Sequence, residues 1–185
     1  PTRTSGPPTA LPLLAALALL EAVQQVTASQ HLRIKWPNDL LLNGKKLAGL
    51  LLESASLGEN AVYTIGFGVN CIEDLDSPLY PSTNLAASAL PSDAGAIFNA
   101  LTERLSHWLM VWLANDSMDT IRSHWLRNAS GLGGPLTARF SDGEISGVFE
   151  GLDGEGYLQL RLISGELRQI SAADIFLGNL KDARA

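Results

Sequence analysis

Two lysines flank a short strand–turn–strand segment whose residues could act on an anionic substrate. Lys35 precedes a Trp-Pro-Asn-Asp sequence, and Lys46 follows the Asn43-Gly44 turn. Ammonium groups aimed inward by such a segment could offset negative charge at a reacting centre, although most lysines in an arbitrary sequence are solvated on the surface. Lys35 and Lys46 could therefore be catalytic residues or solvated surface residues, and both interpretations stay open at this point.

Polar residues beside these lysines could bind further ligands. Asn38 and Asp39 follow Pro37, and the carboxylate of Asp39 could help to hold Mg²⁺ directly or through a water. Asn38 could bond to a nucleotide or to metal-bound water. An Asx-type turn after the proline would explain the same two residues without any ligand, so both interpretations stay open at this point.

Three glycines provide places where the backbone could approach a flat ligand. Gly49 lies in an aliphatic segment, and Gly66 and Gly68 belong to a Gly-Phe-Gly sequence that we predict to be a turn after a strand. Without side chains, these positions could form a slot whose backbone N–H and C=O groups bind the ligand. Leu50 and Leu51 could line that slot, although packing in the core would explain them equally well.

The order and spacing of three sequence blocks closely resemble the biotin protein ligase family. The blocks are Lys-Trp-Pro-Asn-Asp at 35–39, Lys-Leu-Ala-Gly-Leu-Leu-Leu-Glu at 46–53 and Gly-Phe-Gly-Val-Asn at 66–70. A Gly-x-Gly pair alone would be a weak signal, whereas three blocks in this order are a strong one. The resemblance continues through the helical stretch and the C-terminal segment, so it covers nearly the whole chain.

The resemblance implies a role for each of these residues. It implies that Lys46 meets the carboxylate of biotin or the bridging phosphate oxygen, and that Lys35 meets a nucleotide phosphate. Asn38 and Asn70 would lie near the nucleotide, and Asp39 would bind the metal. The fused ureido rings of biotin would lie against Gly49, Leu50, Leu51, Gly66 and Gly68.

By this resemblance, the chain is expected to catalyse two steps. Biotin would attack the α-phosphate of ATP to give biotinyl-5′-AMP, with Mg²⁺ as cofactor. A lysine of a biotin carboxyl carrier domain, from acetyl-CoA carboxylase or a related carboxylase, would then accept the biotin. A lipoate ligase or transferase relative is the nearest alternative enzyme, and a non-catalytic biotin-binding or regulatory homologue is an alternative of another class. Dimerisation is left open, with a homodimer as one alternative.

The elements that must position these residues follow from the hydrophobic pattern. The apolar run 11–26 predicts a buried core helix with Pro12 in its first turn, and it is shorter than a membrane helix needs to be. Two further helices are predicted, from a cap at Ser92 to about 113 and from about 117 to 128. Strands are predicted at 32–35, 40–42, 47–52 and 61–65, and the segment 74–91 is expected to be irregular.

Composition changes after the last of these helices. The segment 131–135 is rich in glycine and predicts a linker, and short strands with tight turns follow it. We therefore predict a catalytic core at 1–132 and an SH3-like barrel at 133–185. The fold class is α/β (α+β), with a class II synthetase-like mixed sheet and flanking helices followed by the small β-barrel.

Bulk properties bear on partners and location. The formal net charge of −6 argues against a surface that follows nucleic-acid phosphates, so we expect neither a nucleic-acid nor a membrane partner through this chain. Cys71 is the single cysteine, which fits a reducing cytoplasm. Residues 1–9 contain neither the basic Gly-Arg loop nor the biotin-contacting strand of the family. Either those elements, and with them a DNA-binding domain, lie upstream of Pro1, or this is a divergent form that has lost part of the site. We expect this chain alone to bind biotin and ATP weakly.

Overall fold

A computed structural model describes residues 6–58, 60–73, 81–114 and 117–178. The helices in these ranges are α1 (Ala10–Thr27), α2 (Ala94–Trp112) and α3 (Ser117–Arg127), with a short 3₁₀ helix at Ala86–Ser88. The strands are β1 (Leu32–Lys35), β2 (Asp39–Leu42), β3 (Lys45–Leu57), β4 (Asn60–Val69), β5 (Pro135–Phe140), β6 (Gly143–Leu152), β7 (Leu158–Leu162), β8 (Leu167–Ile170) and β9 (Asp174–Leu177).

Helix α1 lies at the centre of the core. It is rich in alanine and leucine, and most of its side chains are buried because α2, α3 and the strands β1 to β3 all pack against it. A helix that is apolar on every side needs such surroundings. Length and composition alone would let α1 cross a membrane, but 72% of its apolar window is buried inside the protein. The prediction of a core helix is confirmed.

Helix α2 is capped by a different residue from the one predicted. Ser92 was expected to cap it, but the carboxylate of Asp93 accepts hydrogen bonds from the backbone N–H groups of Gly95 and Ala96 at 2.8 and 3.1 Å. Serine and aspartate cap helices about equally well, so the sequence alone could not separate two adjacent candidates.

The segment 74–91 was expected to be irregular, and its residues 74–80 lie outside the described ranges.

The first sheet has four strands in the order β1-β2-β3-β4, and each neighbouring pair is antiparallel. Its β2–β3 turn has Asn43 at φ 51° and Gly44 at φ 77°, the positive values that a type I′ hairpin requires. The predicted mixed sheet needs one correction. Among the described residues, parallel pairing is limited to the isolated bridges Ile34–Ala129 and Lys46–Ser82, because the strands follow one another through short connections that join only antiparallel neighbours.

The C-terminal residues form a second antiparallel sheet, with strand order β8-β7-β6-β5-β9. The sequence did not predict β9, because its residues Asp-Ile-Phe-Leu do not alternate, and it pairs with β5 instead of its sequence neighbour β8. This five-stranded sheet matches the predicted small β domain, and its closure into an SH3-like barrel stays a prediction.

The two sheets share one hydrophobic core. The guanidinium of Arg122 on α3 donates to the carbonyl of Leu152 at 3.1 Å, and the indole N–H of Trp36 donates to the carbonyl of Gly156 at 3.4 Å. The predicted boundary between 132 and 133 therefore lies between the two sheets in the sequence, but the two sheets pack against each other in the structure.

Candidate functional site

Lys35, Asp39 and Lys46 meet at one end of the first sheet and are called the lysine cluster below. Asp39 Oδ1 forms an ion pair with Lys46 Nζ at 2.6 Å, and Asp39 Oδ2 accepts a hydrogen bond from Lys35 Nζ at 3.3 Å. Lys35 is only 7% exposed, whereas the side chain of Lys46 is 37% exposed. The cluster combines a buried ammonium with one that can reach a substrate, and its formal charge is positive because two ammonium groups share one carboxylate.

Pairing inside the sheet and beside it brings these three side chains together. Lys35 at the end of β1 lies opposite Asp39 at the start of β2. The backbone N–H of Lys46 donates to Pro81 O at 2.9 Å, and the carbonyl of Lys46 accepts from the N–H of Thr83 at 2.9 Å. The segment 81–83 on one side and β2 on the other therefore hold the backbone of Lys46 in place.

Burial changes the protonation behaviour of Lys35. Desolvation lowers the pKa of its ammonium from the ordinary 10.5, and the nearby charge of Lys46 lowers this pKa further, whereas Asp39 and, more weakly, Asp174 raise it. Asp39 is the strongest of the opposing influences. It therefore does most to preserve the charge of Lys35 against desolvation.

Gly49, Gly66 and Gly68 form a flat patch, called the glycine floor below. Gly68 lies opposite Gly49, and Gly66 lies opposite Leu51, in the β3–β4 pairing. Residues directly opposite each other share a face of the sheet. That face points away from the core, since Leu51 is 61% exposed and its neighbour Leu50 is 8% exposed. Leu50 therefore packs in the core, and Leu51 stands beside the floor.

The glycine floor adjoins the lysine cluster. A Cβ atom on Gly49 would lie 3.5 Å from Asp39 Oδ1 and 3.5 Å from Lys46 Nζ. The predicted turn at Gly66 and Gly68 is wrong, because both residues lie within β4, where β3 continues far enough to pair with them. As parts of a strand, they form an extended surface without side chains instead of a bend.

Asn38 and Asn70 hold the backbone around the site. Asn38 Nδ2 donates to the carbonyl of Leu50 at 2.7 Å, and Asn70 Nδ2 donates to the carbonyl of Thr83 at 3.1 Å. These bonds fix the loop between β1 and β2 against β3, and fix the end of β4 against the next segment. An asparagine side chain also has a carbonyl oxygen and a second N–H, so the predicted contacts with a nucleotide stay predictions.

A cleft of about 390 Å³ lies over the lysine cluster. Residues 35–39 and Lys46 line one side of it, and residues 171–175 line the other. The second segment connects β8 to β9 and includes the first residues of β9. It is not among the site residues predicted from the sequence. No motif or spacing marks it, because only the packing of the two sheets brings Asp174 near Lys35.

Asp39 does not form a metal site by itself in this arrangement. One of its carboxylate oxygens accepts a hydrogen bond from Lys35, and the other forms an ion pair with Lys46. Within the described ranges, no group of three or more His, Cys, Asp or Glu side chains is placed to hold a metal. A Mg²⁺ ion on Asp39 would require one lysine to move away and would take most of its ligands from water or phosphate. The predicted role of Asp39 as a metal ligand stays a prediction.

Comparison with known proteins matches both parts of the chain. The model described as "Biotin/lipoate A/B protein ligase family" matches residues 2–70, and the one described as "Biotin protein ligase C terminal domain" matches residues 131–178. A solved biotin protein ligase from Aquifex aeolicus, in complex with biotin and ATP, is 21% identical with a TM-score of 0.77, over 96% of this chain and 75% of that chain. The α/β fold class is confirmed by this likeness.

Curated relatives agree with the family models. A biotin–[acetyl-CoA-carboxylase] ligase from Paracoccus denitrificans is 36% identical over 91% of this chain and 72% of the relative. The bifunctional ligase/repressor BirA from Bacillus subtilis is 32% identical over 91% of this chain, which spans only 53% of that relative. Since sequence blocks, fold and relatives agree over both parts of the molecule, the chain belongs to the biotin protein ligase family.

Proposed function

We propose that this chain activates biotin with ATP and transfers it to a lysine of a carrier protein. In the first step, a carboxylate oxygen of biotin attacks the α-phosphate of ATP, giving biotinyl-5′-AMP and pyrophosphate. In the second step, the carrier amine attacks the acyl carbon and loses a proton, and AMP leaves with the bridging oxygen. The observation that carries this proposal is the lysine cluster at the edge of the glycine floor.

The lysine cluster addresses the main electrostatic problem of the first step, which is the approach of two anions. Lys46 is the exposed member, so the biotin carboxylate can replace Asp39 as its partner. Lys35 stays buried against Asp39 and adds positive charge beneath the α-phosphate. Fixed cations in a partly dry site stabilise developing negative charge far more than cations in water do.

The glycine floor supplies the binding surface for the rings of biotin. A flat bicyclic group can lie directly on backbone that has no side chains, and Leu51 offers an apolar edge beside it. Lys46 stands next to Gly49 at one end of this floor. A ligand lying on the floor would therefore place its carboxylate near the lysine cluster.

ATP and Mg²⁺ enter this proposal together. The cleft between the lysine cluster and residues 171–175 is where we place the phosphates, with Asn38 in its lining. Mg²⁺ keeps several waters and usually arrives with substrate phosphates, which suits a site with a single carboxylate. In this chain, the residue to hold it would be Asp39, after Lys46 has moved to the substrate.

The carrier is proposed from the relatives. The Paracoccus relative is named for acetyl-CoA carboxylase, so we propose that the acceptor is the biotin carboxyl carrier domain of that enzyme or of a related carboxylase. The match to the C-terminal domain of biotin protein ligases favours biotin over lipoate as the substrate. We also propose a cytoplasmic location, with which the single cysteine agrees. Sedimentation of the purified protein would test for a homodimer.

The test of this function uses the full-length protein with biotin, ATP and a carrier domain. Intact-mass spectrometry should show one biotinyl group added to the carrier, only when both biotin and ATP are present. Efficient modification with lipoate in place of biotin would support the lipoate ligase alternative. Biotin binding without any modification of the carrier would support the non-catalytic homologue instead.

The pH dependence of Lys35 provides a further prediction. In Asp39→Asn, the pKa of Lys35 should fall further below 10.5, because the carboxylate that stabilises its ammonium is gone. The free amine then appears at lower pH, so the midpoint of its reaction with an amine-specific reagent, followed by mass spectrometry, should move down. Asp174→Asn is the matched control and should give a smaller shift in the same direction, and an unchanged midpoint in Asp39→Asn would contradict the assigned pairing.

A further inference from the structure

We propose that the β6–β7 turn of the C-terminal sheet, residues 153–157, is a positioning element for the loop that carries Asn38 and Asp39. The element acts through Trp36, and Gly156 is its central residue. This inference rests on the proposed function, because it assigns a role in the first step to a segment that does not touch the substrates.

The contact between turn and loop depends on a glycine. Trp36 is only 4% exposed, and its indole N–H donates to the carbonyl of Gly156 at 3.4 Å. Gly156 has φ +86°, and a Cβ there would lie 3.0 Å from Met118 Cε and 3.1 Å from Leu13 Cδ1. The turn therefore packs closely against α1, α3 and the indole ring, and a side chain at Gly156 would push the ends of Met118 and Leu13 back by a few tenths of an ångström and strain the backbone.

The turn is held in shape by its own hydrogen bonds. Asp153 Oδ1 accepts from the backbone N–H groups of Glu155 and Tyr157, both at 2.9 Å, and Asp153 Oδ2 accepts from Gln159 Nε2 at 3.2 Å. The N–H of Gly156 also donates to the carbonyl of Asp153 at 3.2 Å. A turn fixed in this way can act as a rigid support, because it does not depend on the loop for its conformation.

The supported loop leads directly to the lysine cluster. Trp36 and Pro37 are followed by Asn38 and by Asp39, which bonds to both lysines. The lining of the cleft over the cluster includes Trp36 and residues 171–175 but not Gly156. The loop therefore faces residues 171–175 across the cleft on one side and contacts the β6–β7 turn through Trp36 on the other. Gly156 is consequently a positioning residue and not a catalytic one.

The experiment compares Gly156→Ala with Gly165→Ala in the full-length protein. Gly165 has a similar φ of +88° but nothing within 4 Å of a Cβ, so this control has a similar backbone cost without the contact. Gly156→Ala should lower kcat for pyrophosphate release at least 10-fold, with the Kd for biotin changed by less than twofold, because the glycine floor lies on other strands. Gly165→Ala should change neither quantity.

A second readout does not depend on the activity. In Gly156→Ala, labelling of Lys35 by an amine-specific reagent should become at least threefold faster. The reason is that displacement of the loop moves Asp39 away from the Lys35 ammonium and opens this buried group to solvent and reagent. If the wild-type protein releases no pyrophosphate, the proposed function fails, yet this labelling still decides the positioning role. Wild-type kcat and wild-type labelling in Gly156→Ala would overturn it.

Asp153→Ala provides a second variant in case Gly156→Ala does not fold. It loosens the turn without adding any atoms to the core. It should show the same pattern of lower kcat, unchanged biotin Kd and faster labelling of Lys35. Equal loss of kcat and biotin binding in a folded Asp153→Ala protein would indicate general destabilisation and overturn the proposal.

Discussion

Replacing Lys46 with alanine should slow pyrophosphate release about 100-fold to 1,000-fold at saturating biotin and ATP, because the reacting anions lose a preorganised cation. The free energy of unfolding should change by less than about 1 kcal/mol. The reason is that Lys46 is partly exposed and Asp39 keeps its bond to Lys35. A continuous pyrophosphate assay gives the rate, and urea denaturation gives the stability.

Lys45→Ala is the matched control for this prediction. Lys45 is the preceding residue on β3, is exposed, and points to the opposite side of the strand. The Lys45→Ala variant loses the same charge without any change in the lysine cluster, so its rate of pyrophosphate release should stay close to that of the wild type. A wild-type rate in Lys46→Ala, or equal losses in the two variants, would remove Lys46 from the reaction.

Replacing Gly66 with valine should weaken biotin binding while leaving the fold intact. The nearest atoms to a Cβ on Gly66 are the Leu51 carbonyl oxygen at 3.8 Å and Leu51 Cβ at 3.9 Å, so the strand accommodates the side chain. Valine also suits a strand better than glycine. The new methyl groups occupy the surface on which biotin would lie. Overpacking of this kind should weaken the binding free energy of biotin by about 1–3 kcal/mol, which raises its Kd roughly 5-fold to 150-fold.

Ala61→Val on the same strand serves as the control for Gly66→Val. Ala61 is also exposed, but an odd number of positions along β4 puts it on the other face. Isothermal calorimetry with biotin should give the wild-type Kd for this control. If Gly66→Val binds biotin as tightly as the control does, the glycine floor is not the biotin site.

Local patterns were enough to predict the parts of this molecule that depend on neighbours in the sequence. The apolar run predicted α1, and the Asn43-Gly44 pair predicted the β2–β3 hairpin. That hairpin is also why Lys35, Asp39 and Lys46 could be grouped from sequence, since a tight antiparallel turn returns the chain to its starting point.

Long-range contacts explain what the sequence could not predict. Gly66 and Gly68 were expected in a turn, because a glycine pair favours bends and nothing local shows that β3 continues far enough to pair with them. The segment containing Asp174 reaches the cleft only because β9 pairs with β5 at the far edge of the second sheet. The support of Trp36 by Gly156 likewise joins residues 120 positions apart, and no spacing rule covers such a distance.

The most direct test of the central claim follows the oxygen atoms of biotin. Biotin labelled with ¹⁸O in both carboxylate positions is incubated with the full-length protein, ATP and the carrier domain, and the released AMP is analysed by mass spectrometry. Attack of the carboxylate on the α-phosphate, followed by aminolysis at the acyl carbon, leaves one labelled oxygen in each AMP and one in the new amide. Unlabelled AMP, or the label in released phosphate or pyrophosphate while the carrier becomes biotinylated, would contradict biotinyl-5′-AMP as the intermediate.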